Sequence, residues 1–129
     1  MYTSTTYVIN MIGRSNIDTT SITSEVVKQL IWQADAVIEN YTGQTFETSY
    51  MRGTYYSSVD SLVRTISTEL AAGFLATRLS VDSTRRVTIG DLSIDKTTDM
   101  SQMASDLKKS AMEHLKLLGK NLSYNFTNI

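Results

Sequence analysis

The chain of 129 residues contains no cysteine and no proline, a single histidine (His114) and a single tryptophan (Trp32). Without cysteine there is no disulfide, no thiol nucleophile and no cysteine-ligated zinc. One histidine argues against a histidine-ligated metal site. An excess of one charge is missing as well: 12 Lys and Arg stand against 13 Asp and Glu. No strong field therefore draws the chain onto nucleic acid or an anionic membrane. No apolar run approaches the roughly 20 residues that a membrane span needs. Met1-Tyr2-Thr3-Ser4 lacks the basic start and apolar stretch of a signal peptide, so the expectation is a cytosolic product. Charged residues make up 19% of the chain, below the roughly 25% of typical globular domains. Serine and threonine fill much of the remaining surface, which suits packing against neighbours.

What is present is helical periodicity inside polar flanks. The length fits one domain with one modest core. Residues 1–22 are rich in Ser, Thr and Asn and read as an extended N-terminal segment. Within them Tyr7-Val8-Ile9-Asn10-Met11-Ile12 is a short β-prone run ended by Gly13. A helix is predicted from Thr23, a capping residue, with Glu25 in the first turn, where a negative charge suits the helix dipole. Val27, Leu30, Ile31, Ala34, Val37, Ile38 and Tyr41 form its apolar stripe, and Gly43 is its expected stop. Residues 44–58 form an aromatic connector holding Phe46, Tyr50, Met51, Tyr55 and Tyr56 around Gly53.

A second helix is predicted from about Asp60 to Leu79, capped by Ser57 or Ser58. Leu62, Val63, Ile66, Leu70, Ala71, Phe74, Leu75 and Leu79 cover more than half of its circumference, which makes it the central, most buried helix. Ala71-Ala72-Gly73 would let another backbone come close, and Phe74 should be buried against both flanking helices. After a polar link from Ser80 to Arg86, Gly90-Asp91 between Val87-Thr88-Ile89 and Leu92-Ser93-Ile94 fits a two-residue hairpin, with a single bent strand as the alternative. This β arm occupies about residues 86–96. A third helix opens at Asp99 or Ser101, carries Met103, Ala104, Leu107, Ala111, Leu115 and Leu118, and stops at Gly119. Lys108, Lys109, Lys116 and Lys120 suit its C-terminal dipole. The tail, 119–129, alternates polar and apolar residues like a strand without a partner; the expectation is that it adds to the sheet edge of another protein, with a disordered end as the alternative.

Few residues offer chemistry. Gly90-Asp91 lacks the glycine spacing and the lysine of a phosphate loop, so a plain turn is the better reading. His114 follows Glu113 directly, and the two point about 100° apart on a helix. Asp106 is the other acidic candidate, and Ser110 lies one turn from His114, but no third group orients that pair. Arg85-Arg86 in a polar link reads as solvated rather than DNA-contacting. Met100, Met103 and Met112 read as core or interface filler. No catalytic, cofactor-binding or metal-binding residue is assigned, and the expectation is that the protein is not an enzyme.

Four segments in order resemble the head–tail connector (adaptor) proteins of tailed bacteriophages. They are QADAVIENYTGQTF, with its A-x-x-x-I-x-x-Y-x-G end (Ala34, Ile38, Tyr41, Gly43), the Ala-rich TELAAGFLATRLS, TIGDLSI, and the closing ASDLKKSAMEHLKLL. The resemblance covers roughly residues 23–118. It implies a structural virion protein of the neck, made in the host cytoplasm, forming a dodecameric ring beneath the portal. Such a ring extends the DNA channel, lets DNA pass without sequence-specific binding, and docks a stopper or tail protein. It implies no cofactor and no membrane.

Together these readings predict a mainly α, three-helix bundle-like domain (23–118) with a small β-hairpin arm and extended termini. The arm residues Ile89, Gly90, Asp91, Leu92 and Ile94 are the expected subunit interface. The tail residues Leu122, Tyr124, Phe126 and Ile129 are the expected portal contact. Two rivals are a stopper or tail-completion (terminator) protein, a class usually rich in strand, and a small helical DNA-binding regulator, which would need a basic recognition helix.

Overall fold

The computed structural model describes residues 1–13, 17, 22–46, 58–85 and 91–127, and these form four helices: α1 (Thr5–Ile12), α2 (Ser24–Thr42), α3 (Ser58–Arg85) and α4 (Asp91–Thr127). No strand occurs among the described residues. The mainly α class expected from the sequence is the class observed. The three-helix count, the β arm and the extended termini are not.

The helix from Thr23 forms as its signals dictate. Thr23 Oγ1 accepts from Val26 N–H, Glu25 occupies the first turn of α2, and Gly43 closes it with φ 71°, ψ 17°. Val27, Leu30, Ile31, Ala34 and Ile38 are buried, whereas Tyr41 is exposed. α3 is the central helix and packs against the other three. Its Val63, Ile66, Leu70, Ala71, Ala72, Leu75 and Ala76 are buried. Gly73 faces α4 closely: a Cβ there would stand 3.0 Å from Lys108 Cγ and 3.5 Å from the Ala104 carbonyl oxygen. The small-residue patch therefore does admit a second backbone. Phe74 is only partly buried. It sits on the α4 side, with Lys108 Nζ 5.7 Å from its ring centroid.

Four expectations are corrected. The Tyr7–Ile12 run is helical, not a strand. Ser4 Oγ accepts from Tyr7 N–H as an N-cap, and Val8 and Ile12, one turn apart, are both buried. β-branched residues take the helix here because the core rewards that spacing, and strand propensity without a partner strand counts for little. The polar link from Ser80 is helical as far as Arg85. The third helix opens eight to ten residues earlier than expected, at Asp91, so Asp91, Leu92 and Ile94 lie in α4 and not in a hairpin. A two-stranded hairpin is marginal by itself, and the chain takes helix from Asp91 instead. Ile89 and Gly90 lie outside the described residues.

The fourth correction is at Gly119. α4 passes through it and continues to Thr127. A Cβ at Gly119 would come 3.3 Å from Tyr41 Cε1, so this glycine accommodates the Tyr41 ring instead of ending the helix. Leu122, Tyr124 and Phe126 are accordingly helical, and Ile129 lies outside the described residues. So do residues 47–57 of the aromatic connector.

Candidate functional site

Polar chemistry concentrates where residues 1–3 meet α2 and α3. Asp35 is only 7% exposed on α2. Its Oδ1 accepts from Ser67 Oγ of α3 at 2.7 Å and its Oδ2 accepts from Tyr2 N–H at 3.1 Å. The Met1 amino group lies 4.0 Å from Oδ2. One turn on, Glu39 Oε1 accepts from the Tyr2 hydroxyl at 2.6 Å, and that hydroxyl accepts from Phe46 N–H at 3.0 Å. The Tyr2 and Phe46 rings meet edge to face at 5.8 Å. The Thr3 and Thr68 hydroxyls share a hydrogen bond of 2.6 Å. Residues 2 and 3 thus fasten α2, α3 and the segment after Gly43 to one another.

Burial sets the electrostatics of this cluster. It raises the Asp35 carboxyl above the usual carboxylate range, against the hydrogen bonds from Ser67 and Tyr2, which stabilise the ionised form. Burial, then the hydrogen bond to Glu39, pushes the Tyr2 phenol up from 10.0 to about 12. Beside the cluster is a cleft of about 350 Å³ lined by Tyr2, Trp32, Asp35, Glu39 and Phe46, among others. Trp32, at its rim, is 55% exposed.

A second polar contact joins α3 and α4. His114 Nδ1 is 2.7 Å from Glu69 Oε1, and Glu69 is buried at 5% exposure. The orienting carboxylate absent from the sequence reading is therefore Glu69, not Glu113 or Asp106. Asp106 accepts instead from Gln102 Nε2. Serine catalysis would further need the serine hydroxyl bonded to the other ring nitrogen. Among the described residues no hydrogen bond joins Ser110 to His114. The pair ties two helices together. On the same seam Lys108 Nζ donates to Thr77 Oγ1 at 2.7 Å.

The structure does not gather the expected interface and portal-contact residues into one site. Asp91, Leu92 and Ile94 lie at the start of α4, while Leu122, Tyr124 and Phe126 lie at its far end. The Asp35 and Glu69 contacts were missed because each polar partner lies more than 30 residues away. The available signal was a carboxylate on or beside an otherwise apolar stripe: Asp35 between Ala34 and Ile38, Glu69 between Ile66 and Leu70. Among the described residues no group of three His, Cys, Asp or Glu could hold a metal ion. No helix among them is long and apolar enough to cross a membrane. No family model, curated protein or solved structure matches this chain.

Proposed function

We propose that this chain is a structural protein of a phage neck, a head–tail connector (adaptor) that assembles as a ring beneath the portal and docks a stopper or tail protein. The observation that carries the reading is how two of the resembling segments sit in the fold. The A-x-x-x-I-x-x-Y-x-G end of α2 closes on Gly43, and the Ala71-Ala72-Gly73 stretch of α3 receives the closing helix α4. The placing of these two segments supports the reading, as a helix end and a small-residue patch against which another helix packs. The IGD-like segment departs from it, because α4 begins at Asp91. In this reading the protein is not an enzyme and takes no cofactor. DNA passes through the lumen, and the near-neutral charge suits sliding rather than gripping. A helical chain is a poor fit to the strand-rich stopper and terminator class. α4, where Lys109 and Lys116 alternate with Asp106 and Glu113, is a poor recognition helix.

The test is negative-stain imaging of the purified protein alone and mixed with its portal. Rings seated coaxially on the portal are the expected result. A protein that binds neither isolated portal nor filled heads overturns the reading.

A further inference from the structure

α2 and α4 flank α3, and each leaves one face exposed. On α2, Glu25, Trp32 and Glu39 recur at helical spacing on one side, and Trp32 is the most exposed large apolar side chain described. Trp32 and Tyr41 are nine positions apart, about 180° around a helix. Tyr41 lies against Gly119 of α4, so the Trp32 face looks away from α4. On α4, Lys109, Lys116 and Lys120 share the solvent side, flanked by exposed Met112 and Leu117. None of these lysines is engaged in an ion pair among the described residues. Each face also carries opposite charge. Lys28 pairs with Glu25 at 3.4 Å, and exposed Asp106 and Glu113 sit among the lysines, Asp106 accepting from Gln102.

We infer that these two faces bind each other between two copies of this chain. One offers an exposed indole bordered by carboxylates. The other offers a lysine stripe with two apolar side chains. Ammonium groups over the Trp32 ring gain cation–π attraction while facing Glu25 and Glu39. The cleft beside Trp32, about 350 Å³, has room for a side chain such as Met112 or Leu117. Because the two patches differ, the contact is heterologous. Every added copy leaves one patch of each kind open, until the chain of subunits closes on itself. The inference rests on the ring reading for closure alone; which faces meet is read from their charges and exposed side chains.

The test uses two variants, Trp32→Ala and Lys109→Glu/Lys116→Glu, with circular dichroism as the folding control. All three positions are exposed, so both variants should fold. By sedimentation velocity the wild type should self-associate, more weakly by about tenfold or more when added salt shortens the screening length. Each variant alone should be monomeric. Mixed in equal amounts, they should form a heterodimer that grows no further, through the intact α4 face of one and the intact α2 face of the other. A mixture that stays monomeric, or a variant that associates like wild type, overturns the inference. So does a wild type that is monomeric up to its solubility limit, while portal binding still judges the neck reading separately.

Discussion

The Tyr41 ring lies over Gly119 so closely that a Cβ on that glycine would meet Tyr41 Cε1 at 3.3 Å, and α4 runs on beneath the ring without interruption. This glycine is a place of close approach, while Gly43, in the left-handed region at φ 71°, is a helix stop.

The two glycines should therefore answer differently to alanine. Gly119→Ala should be neutral or stabilising by up to about 1 kcal/mol, the helix-propensity gain of alanine over glycine. Tyr41 is half-exposed, so solvent borders its ring on the side away from Gly119 and a shift of a few tenths of an ångström costs little packing. Gly43→Ala should cost about 1–2 kcal/mol, the penalty of a left-handed conformation for a residue with a Cβ. Urea titration of both variants checks this. A loss at Gly119 as large as that at Gly43 would restore Gly119 as a stop.

Core truncations should follow burial on α3. Leu75, fully buried, should lose about 2–5 kcal/mol on replacement by alanine. Phe74, partly buried with Lys108 over its ring, should lose only about 1–2 kcal/mol because part of its surface already faces solvent. Equal losses at the two positions would place Phe74 in the core.

Asp35 gives the fold a pH dependence of definite sign. Its folded pKa is raised by burial, so the protonated form is favoured in the native state. Its contribution is fully present below the ordinary carboxylate pKa and is lost as pH rises through the raised native value. Asp35→Asn can still accept from Tyr2 N–H and donate to Ser67, and it has no charge to bury. The stability difference, wild type minus Asp35→Asn, should fall as pH rises from about 3.9, the ordinary aspartate value, toward neutrality. A difference that grows over that range contradicts the raised value.

Tyr2 acts at the other end of the scale. Its phenol moves from 10.0 to about 12 in the native state. The contribution of its protonated form holds below pH 10 and is lost as pH climbs through about 12. Tyr2→Phe removes the bonds to Glu39 and Phe46. It should cost about 1–2 kcal/mol at neutral pH and melt with less pH dependence above pH 10 than wild type. Coincident wild-type and variant curves above pH 10 would remove Tyr2 from the alkaline transition.

The parts of this fold legible in the sequence are those written in one period. α2 was readable to its caps, because Thr23, Glu25, the stripe from Val27 to Ile38 and Gly43 agree with one another. The central place of α3 followed from the breadth of its apolar surface. The ends of α4 were misread because two periods coexist there. Leu122, Tyr124 and Phe126 alternate like a strand, yet Leu115, Leu118, Leu122 and Phe126 also continue the helical spacing. Gly119 tipped the reading toward a stop, and only the position of Tyr41, 78 residues earlier, reveals its other purpose. The Asp35 and Glu69 contacts are set by how helices cross, which no local pattern encodes.

The anchoring of residues 2 and 3 has a consequence for how the chain matures on the ribosome. Tyr2 is bonded to Phe46, and Thr3 to Thr68, 65 positions downstream. Translation proceeds at about 5–20 residues per second, so residues 2 and 3 spend seconds without their native partners. Asp35 lacks its Ser67 partner until that residue has left the exit tunnel. Residues 2 and 3 therefore settle only once α3 has emerged, and α4, made after α3, packs against it later still.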